Sequence, residues 1–240
     1  MGKSAIVLFS GGLDSTACLY WAIEKYNKIS LLSFKYGSKE DKVIERQNKI
    51  FTDLLSIESK IINIPFLGEF AQISGSKLSV EEGDPPKFSN YEQLDEKSLT
   101  EETAKQVWVP GRNVVFLSIA ASFADSLKEP VDILFGANKE EGETFPDNTI
   151  EFVEIMNLAF TLGCMNHIEI RAPFHNKMKD EIISFLKDNG APLDITSSCY
   201  NVKKWDEKEE KPIHCGKCES CFRRKRAFSK AKIDDLTLYE

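Results

Sequence analysis

The sequence predicts an α/β protein, a doubly wound and mostly parallel sheet with a cysteine-rich C-terminal tail. Three observations carry that expectation. Strand-like apolar runs alternate with helical patterns along most of the chain, the signature of βαβ units. A turn reading Ser10-Gly11-Gly12-Leu13-Asp14-Ser15 follows the first apolar run and leads directly into an amphipathic pattern. Four of the six cysteines fall near the C-terminus, at Cys199, Cys215, Cys218 and Cys221.

The first strand is expected over about 4–9, where Ala5 to Phe9 form a short β-favouring run, and the first helix over about 16–27. A strand over about 29–36, a helix over 39–56 and a strand over 60–65 follow. The stretch 66–106 contains Gly83, Pro85-Pro86 and scattered acids with little periodicity, so it reads as an irregular insertion. Helix 112–128 is apolar nearly all round and is expected to be central and buried. A strand at 131–137 precedes helix 149–162, whose stripe of Phe152, Ile155, Met156, Ala159 and Phe160 reads as core. A strand at 167–172 and a helix at 177–189 complete a domain over residues 1–195, leaving 196–240 as a tail with a C-terminal helix. Ligands of such sheets bind beyond the carboxyl ends of the strands. That rule gathers Ser10–Ser15, Tyr36-Gly37 and Gly136-Ala137-Asn138 around one crevice.

Bulk composition narrows the function classes. With 42% hydrophobic and 29% charged residues, the 240-residue chain reads as a soluble globular protein with one sizeable core. No run reaches the ~18 apolar residues of a membrane span, and the chain opens on a strand pattern with no signal sequence, so cytoplasmic residence is the expectation. A net charge of −7 argues against broad nucleic-acid binding. Acids cluster over 81–102 and bases over 223–232, and each cluster reads first as a solvated face or loop.

The run Cys215-Gly216-Lys217-Cys218-Glu219-Ser220-Cys221 holds two successive Cys-x2-Cys steps. That spacing turns several sulfurs toward one point, and Cys199 can complete a tetrahedron. Four thiolates with no open position describe a structural Zn²⁺ site. A disulfide pair or a redox Cys-x2-Cys are the alternatives. His214 adjoins Cys215 and could replace a ligand. Cys18 and Cys164 read as inert thiols, and His167 and His175 as structural or surface histidines.

The glycine turn is an anion site in waiting, because unpaired backbone N–H groups and the positive end of a helix dipole converge there. It lacks the spacing and lysine of a Walker A loop. The string SGGLDS resembles instead the pyrophosphate-binding loop of the PP-loop ATP pyrophosphatases, which cleave ATP between its α and β phosphates. Three further strings make the resemblance more specific. They are Val109-Pro110-Gly111-Arg112-Asn113 through Ser118, Gly136-Ala137-Asn138 with Phe145-Pro146-Asp147, and Ser198-Cys199-Tyr200 with the cysteine run and Arg224. Together they are similar to the QueC family of 7-cyano-7-deazaguanine synthases.

That resemblance implies a Rossmann-like (HUP-type) fold, ATP with Mg²⁺ and Zn²⁺ as cofactors, and a homodimer. It implies AMP-forming activation of the carboxylate of 7-carboxy-7-deazaguanine, amide formation with ammonia, and dehydration to the nitrile. Ser10, Gly11, Gly12 and Ser15 would cradle the phosphates. Asp14 would hold Mg²⁺ (helix capping is its simpler role), and Lys179 would neutralise charge building on the phosphates. Tyr36, Arg112, Asn113, Gly136, Asn138, Glu141 and Asp147 would surround the substrate.

The chain departs from the family pattern at Ser38, Glu40 and Thr149, where Gln, His and Arg are usual. Two readings follow: a divergent synthase, or a QueC-like paralogue that joins the deazaguanine acid to another amine, such as a protein N-terminus in antiphage defence. The acidic 66–106 stretch would then face a partner. A tRNA-modifying PP-loop enzyme is a third reading, disfavoured by the net charge.

Overall fold

A computed structural model describes residues 4–240. The strands of the main sheet are β1 (Ser4–Leu8), β2 (Lys28–Lys35), β3 (Glu58–Asn63), β4 (Val131–Leu134) and β5 (Ile168–Arg171). They lie in the order β3-β2-β1-β4-β5, every pair parallel. The expected doubly wound architecture is present, with each expected strand within a few residues of its place.

The period-2 alternation of the strands feeds two cores. Ile6, Leu32, Phe34 and Ile133 point to one face, covered by α5 (Arg112–Ser126) and α7 (Ile150–Gly163). Ala5, Val7, Leu31 and Leu134 point to the other, where α1 (Leu13–Ile23), α2 (Asp41–Leu55) and α8 (Lys179–Asp188) supply Leu19, Phe51 and Ile182. Burial on both faces is why these strands read as near-continuous apolar runs.

Three expectations need correction. The 66–106 stretch is not irregular throughout: it holds α3 (Pro65–Ile73) and α4 (Lys97–Val107), with a single 3₁₀ turn before α4. Helix α5 is buried only along Asn113, Leu117, Ala120, Ala121 and Ala124, and Val114 is 43% exposed. On α7 the core face is Val153, Met156 and Phe160, whereas Ile155 turns outward at 66% exposure.

After the four-residue α6 (Lys139–Gly142), α7 and α8, the chain forms a small sheet of β6 (Lys204–Asp206), β7 (Lys211–His214) and β8 (Leu238–Tyr239), with α9 (Glu219–Ala231) between β7 and β8. The insertion packs on this tail. Phe88 N–H donates to the Lys217 carbonyl at 2.7 Å, and Tyr91 meets the Phe222 ring edge-on at 5.6 Å. Asp95 pairs with Arg226 at 2.7 Å, and Asp84 with Lys203 at 3.2 Å. The basic cluster is largely paired within the fold through Arg223, Arg224 and Arg226, whereas most acids of 81–102 are exposed. Among the described residues no single helix is long and apolar enough to cross a membrane.

Candidate functional site

The chain winds outward from β1 to β3 and returns to place β4 beside β1, so the switch point lies between those two strands. Each strand is followed there by a glycine, Gly11 after β1 and Gly136 after β4. Gly11 has φ +77°, and a Cβ on it would overlap the Gln47 side chain. A Cβ on Gly136 would come within 3.1 Å of the Ser15 nitrogen, so the β4 end closes directly on the start of α1.

The turn is organised by its own hydroxyls. Ser15 Oγ accepts from Ser10 N–H at 3.3 Å and donates to the Gly12 carbonyl at 3.1 Å. Gly12 is the N-cap of α1 without a side-chain cap, and Asp14 sits in the first turn. Asp14 therefore does not cap the helix. Asn138 Nδ2 donates to its Oδ1 at 3.0 Å, and Lys179 Nζ lies 3.3 Å from its Oδ2.

Lys179 is the centre of the charge arrangement. It is 5% exposed, at the first position of α8, and its Nζ contacts Glu141 Oε1 at 2.8 Å as well as Asp14. Burial pushes the Asp14 carboxyl up to about 6, and nearby Glu141 adds to the rise against the pull of Lys179. Burial also opposes ionisation of Glu141, but the Lys179 charge outweighs it and the net shift is downward. Lys179 is itself held firmly protonated, its desolvation outweighed by the two carboxylates. A buried cation held by two carboxylates beside an anion-binding turn can exchange a carboxylate for a phosphate oxygen.

A cavity of about 250 Å³ opens above these groups. Ser10, Gly12, Asp14, Ser15, Gly136, Glu141 and Lys179 line one part of it, and Tyr36, Arg112, Asn113 and Asp147 another. Gly11 and Asn138 are not in its wall. Gly11 shapes the turn and Asn138 orients Asp14, while also accepting from Glu141 N–H at 3.0 Å. Arg112 makes no ion pair among the described residues, although it stands in the wall with Tyr36, Glu40 and Asp147. Among the described residues the buried Tyr36 hydroxyl has no hydrogen-bond partner, and burial raises its pKa against the opposing pull of Arg112. This end of the cavity thus presents one cation and one buried hydroxyl beside the carboxyl groups of Glu40 and Asp147.

Of the three departures from the family pattern, only Glu40 lines the cavity. Ser38 donates to Asp41 Oδ1 at 2.6 Å, and Asp41 in turn caps the Tyr36 and Gly37 N–H groups. Thr149 caps α7 by accepting from Phe152 N–H at 3.2 Å. Sequence reasoning did not single out Trp108, Phe145, Ser198, Tyr200 or Ser220 as site residues, yet all stand in the cavity wall. The signal available was that Phe145, Ser198, Tyr200 and Ser220 belong to the quoted strings and Trp108 adjoins one.

The cysteine sulfurs of Cys199, Cys215, Cys218 and Cys221 all lie within 4.8 Å of one another. Cys218 and Cys221 are 3.5 Å apart and Cys215 and Cys221 4.0 Å. A tetrahedron with Zn–S bonds of ~2.3 Å has edges near ~3.8 Å, so the four fit a zinc ion. Backbone N–H groups of Cys215 and Asn201 also point at Cys199 Sγ, each at 3.3 Å, as thiolates require. His214 is buried but is not in the group.

The tail is tied to the glycine turn. Arg224 on α9 is fully buried and donates to Thr237 Oγ1 (2.8 Å), Thr196 Oγ1 (2.9 Å), Ser198 Oγ (3.2 Å) and the Leu193 carbonyl (2.7 Å). The segment it grips donates in turn from Ser197 N–H to the Gly11 carbonyl at 2.8 Å. Arg223 pairs with Glu219 at 2.6 Å and faces Glu140, whose Oε1 accepts from Lys179 N–H.

A family model described as queuosine biosynthesis protein QueC matches residues 4–232. The chain is 48% identical to a 7-cyano-7-deazaguanine synthase of Pyrococcus horikoshii over 237 residues, which is 99% of this chain and 97% of that one. It is 45% identical to the Pyrococcus abyssi protein of the same name at the same coverage. The Methanocaldococcus jannaschii protein of that name is 39% identical, with 98% of each chain covered.

Proposed function

Because the chain belongs to the queuosine biosynthesis protein QueC family, we propose that it converts 7-carboxy-7-deazaguanine to 7-cyano-7-deazaguanine with ATP and ammonia. A carboxylate oxygen attacks the α-phosphorus of ATP, pyrophosphate leaves, and ammonia displaces AMP to give the amide. The amide oxygen then attacks the α-phosphorus of a second ATP, pyrophosphate and a proton leave, and loss of AMP and the remaining N–H proton gives the nitrile.

In this reading the N–H groups and hydroxyls at Ser10, Gly12 and Ser15 hold the β- and γ-phosphates. Lys179 neutralises charge as pyrophosphate forms, a fixed positive group where negative charge develops. Asp14 suits Mg²⁺, which when bound supplies further positive charge to the phosphate oxygens. Arg112 and Tyr36 hold the carboxylate toward the α-phosphate. The four cysteines hold structural Zn²⁺, fixing Ser198, Tyr200 and Ser220 in the cavity wall. The partner is a second copy of the chain, seated on the exposed apolar face of Val114, Ile155, Leu158 and Leu162, and the enzyme works in the cytoplasm.

The observation that carries the reading is buried Lys179, held between Asp14 and Glu141 beside the glycine turn. Product mass spectrometry after incubation with ATP, the acid and ammonium tests it. The expected outcome is the nitrile with AMP and pyrophosphate. ADP as the only nucleotide product would refute the chemistry. An acid that is adenylated but rejected by ammonium, and recovered joined to a protein amine, would favour the conjugating paralogue.

A further inference from the structure

Two aromatic rings stand in the cavity wall with nearly parallel faces. Trp108 and Phe145 are 37 residues apart in sequence, yet their planes differ by 11° and their centroids lie 6.3 Å apart. Phe34 and Phe116 form a closed stack at 4.3 Å. The Trp108–Phe145 spacing is wider but falls short of the ~7 Å that two successive carbon contacts of ~3.5 Å require, so the rings would part slightly to admit a flat ring between them.

Their backbones are well anchored. Trp108 ends α4, its N–H donating to the Lys105 carbonyl, just before the Pro110-Gly111 turn into α5. Phe145 N–H donates to the Glu141 carbonyl at 2.7 Å, and Pro146 follows. Asn113 Nδ2, donating to the Asp147 carbonyl at 3.3 Å, ties the two loops together. Both rings are only partly buried and line the cavity, with Phe145 also packing against the core beneath it. Asp147 stands one residue beyond Pro146, with one carboxylate oxygen accepting from Asn148 at 3.2 Å and the other with no protein partner among the described residues.

We propose that Trp108 and Phe145 stack the flat bicyclic base of the acid substrate, and that Asp147 accepts hydrogen bonds from its N–H edge. The inference rests on the functional reading above and extends it to how the base is chosen. A guanine-like edge presents two adjacent donors, which a carboxylate can accept together, and base–aromatic stacking is tolerant of ring identity but demands planarity. Stacking supplies affinity and the carboxylate supplies selectivity.

The test combines kinetics with tryptophan fluorescence on the zinc-loaded protein. Phe145→Leu and Trp108→Leu should raise KM for the acid at least about tenfold while leaving KM for ATP within twofold. Phe145→Tyr and Trp108→Phe should recover most of it. Titration with 7-carboxy-7-deazaguanine should quench emission in the wild type but not in Trp108→Phe, in which Trp21 and Trp205 remain as internal controls. Unchanged acid KM in both leucine variants, or a rise confined to ATP, overturns the clamp while the synthase reading stands. A wild type that ignores the acid but is quenched at Trp108 by another flat heterocycle retains the clamp and overturns the substrate. Absence of quenching by any flat base overturns both.

Discussion

Replacing Arg224 with Met should unfold the protein at a markedly lower temperature. The side chain is fully buried and makes four hydrogen bonds, to Thr237, Thr196, Ser198 and the Leu193 carbonyl. Each bond to a charged group contributes about 1.5–3 kcal/mol, so the four sum to about 6–12 kcal/mol. Removing the guanidinium also relieves its desolvation, several kcal/mol, consistent with burial pulling its pKa down. Thr196 keeps its own bond to the Leu193 carbonyl at 2.6 Å, which limits the damage. The net loss is about 3–5 kcal/mol. For a chain of this size that is a fall in Tm of about 6–20 °C. Differential scanning calorimetry at fixed zinc and protein concentration measures it. Arg224→Lys, which keeps a charge but not the planar fork, should fall between the two. A Tm within about 3 °C of wild type for Arg224→Met would refute the reasoning, because the tail and the segment behind the glycine turn would then be held by something else.

Asp14 gives a pH signature. Its pKa rises from 3.8 to about 6 in the fold, so the folded state favours the proton and loses stability as pH climbs through that window. The loss is about 3 kcal/mol by pH 7. Asp14→Asn should therefore gain on wild type in urea stability between pH 4 and 7, and parallel curves would contradict this. Freshly reduced protein should hold about one zinc per chain, and Cys218→Ser should lose both metal and thermal stability, as elemental analysis and calorimetry would report. Leu158→Asp with Leu162→Asp should shift a dimer to monomer by sedimentation, and an unchanged sedimentation coefficient would remove that face as the contact.

The five main strands and the glycine turn were readable from sequence because both follow from short-range rules, short apolar runs and a strand leading through glycine into a helix. Helices α3 and α4 were not. The buried face of α4 is Thr100, Thr103, Ala104 and Val107, too polar to register as a stripe, and α3 leaves Phe66, Phe70 and Ile73 partly or largely exposed. The Ile155 misreading on α7 has the same root, since an outward apolar residue mimics core. Lys179 was identified through resemblance, but its two carboxylate partners come from α1 and α6, and only the fold unites them. Trp108 and Phe145 are joined by no sequence period at all. Ser38 and Thr149, polar positions in a family motif, turned out to serve backbone groups that sequence reasoning did not count.

β1 is the one link between the two halves of the main sheet: β2 and β3 attach to its one edge and β4 and β5 to the other. On a ribosome the strand that must end up innermost is made first, while its β4 neighbour, paired from Ser4↔Val131 onward, is still more than a hundred residues away. Residues 4–63 can pair as a three-stranded half, but one long edge of β1 stays open until Val131–Leu134 emerge. Loop closure over that distance slows folding and prolongs exposure of an unpaired apolar edge. The vulnerable period for misassembly is therefore synthesis itself, and a circular permutant that brings β4 out next to β1 would shorten it.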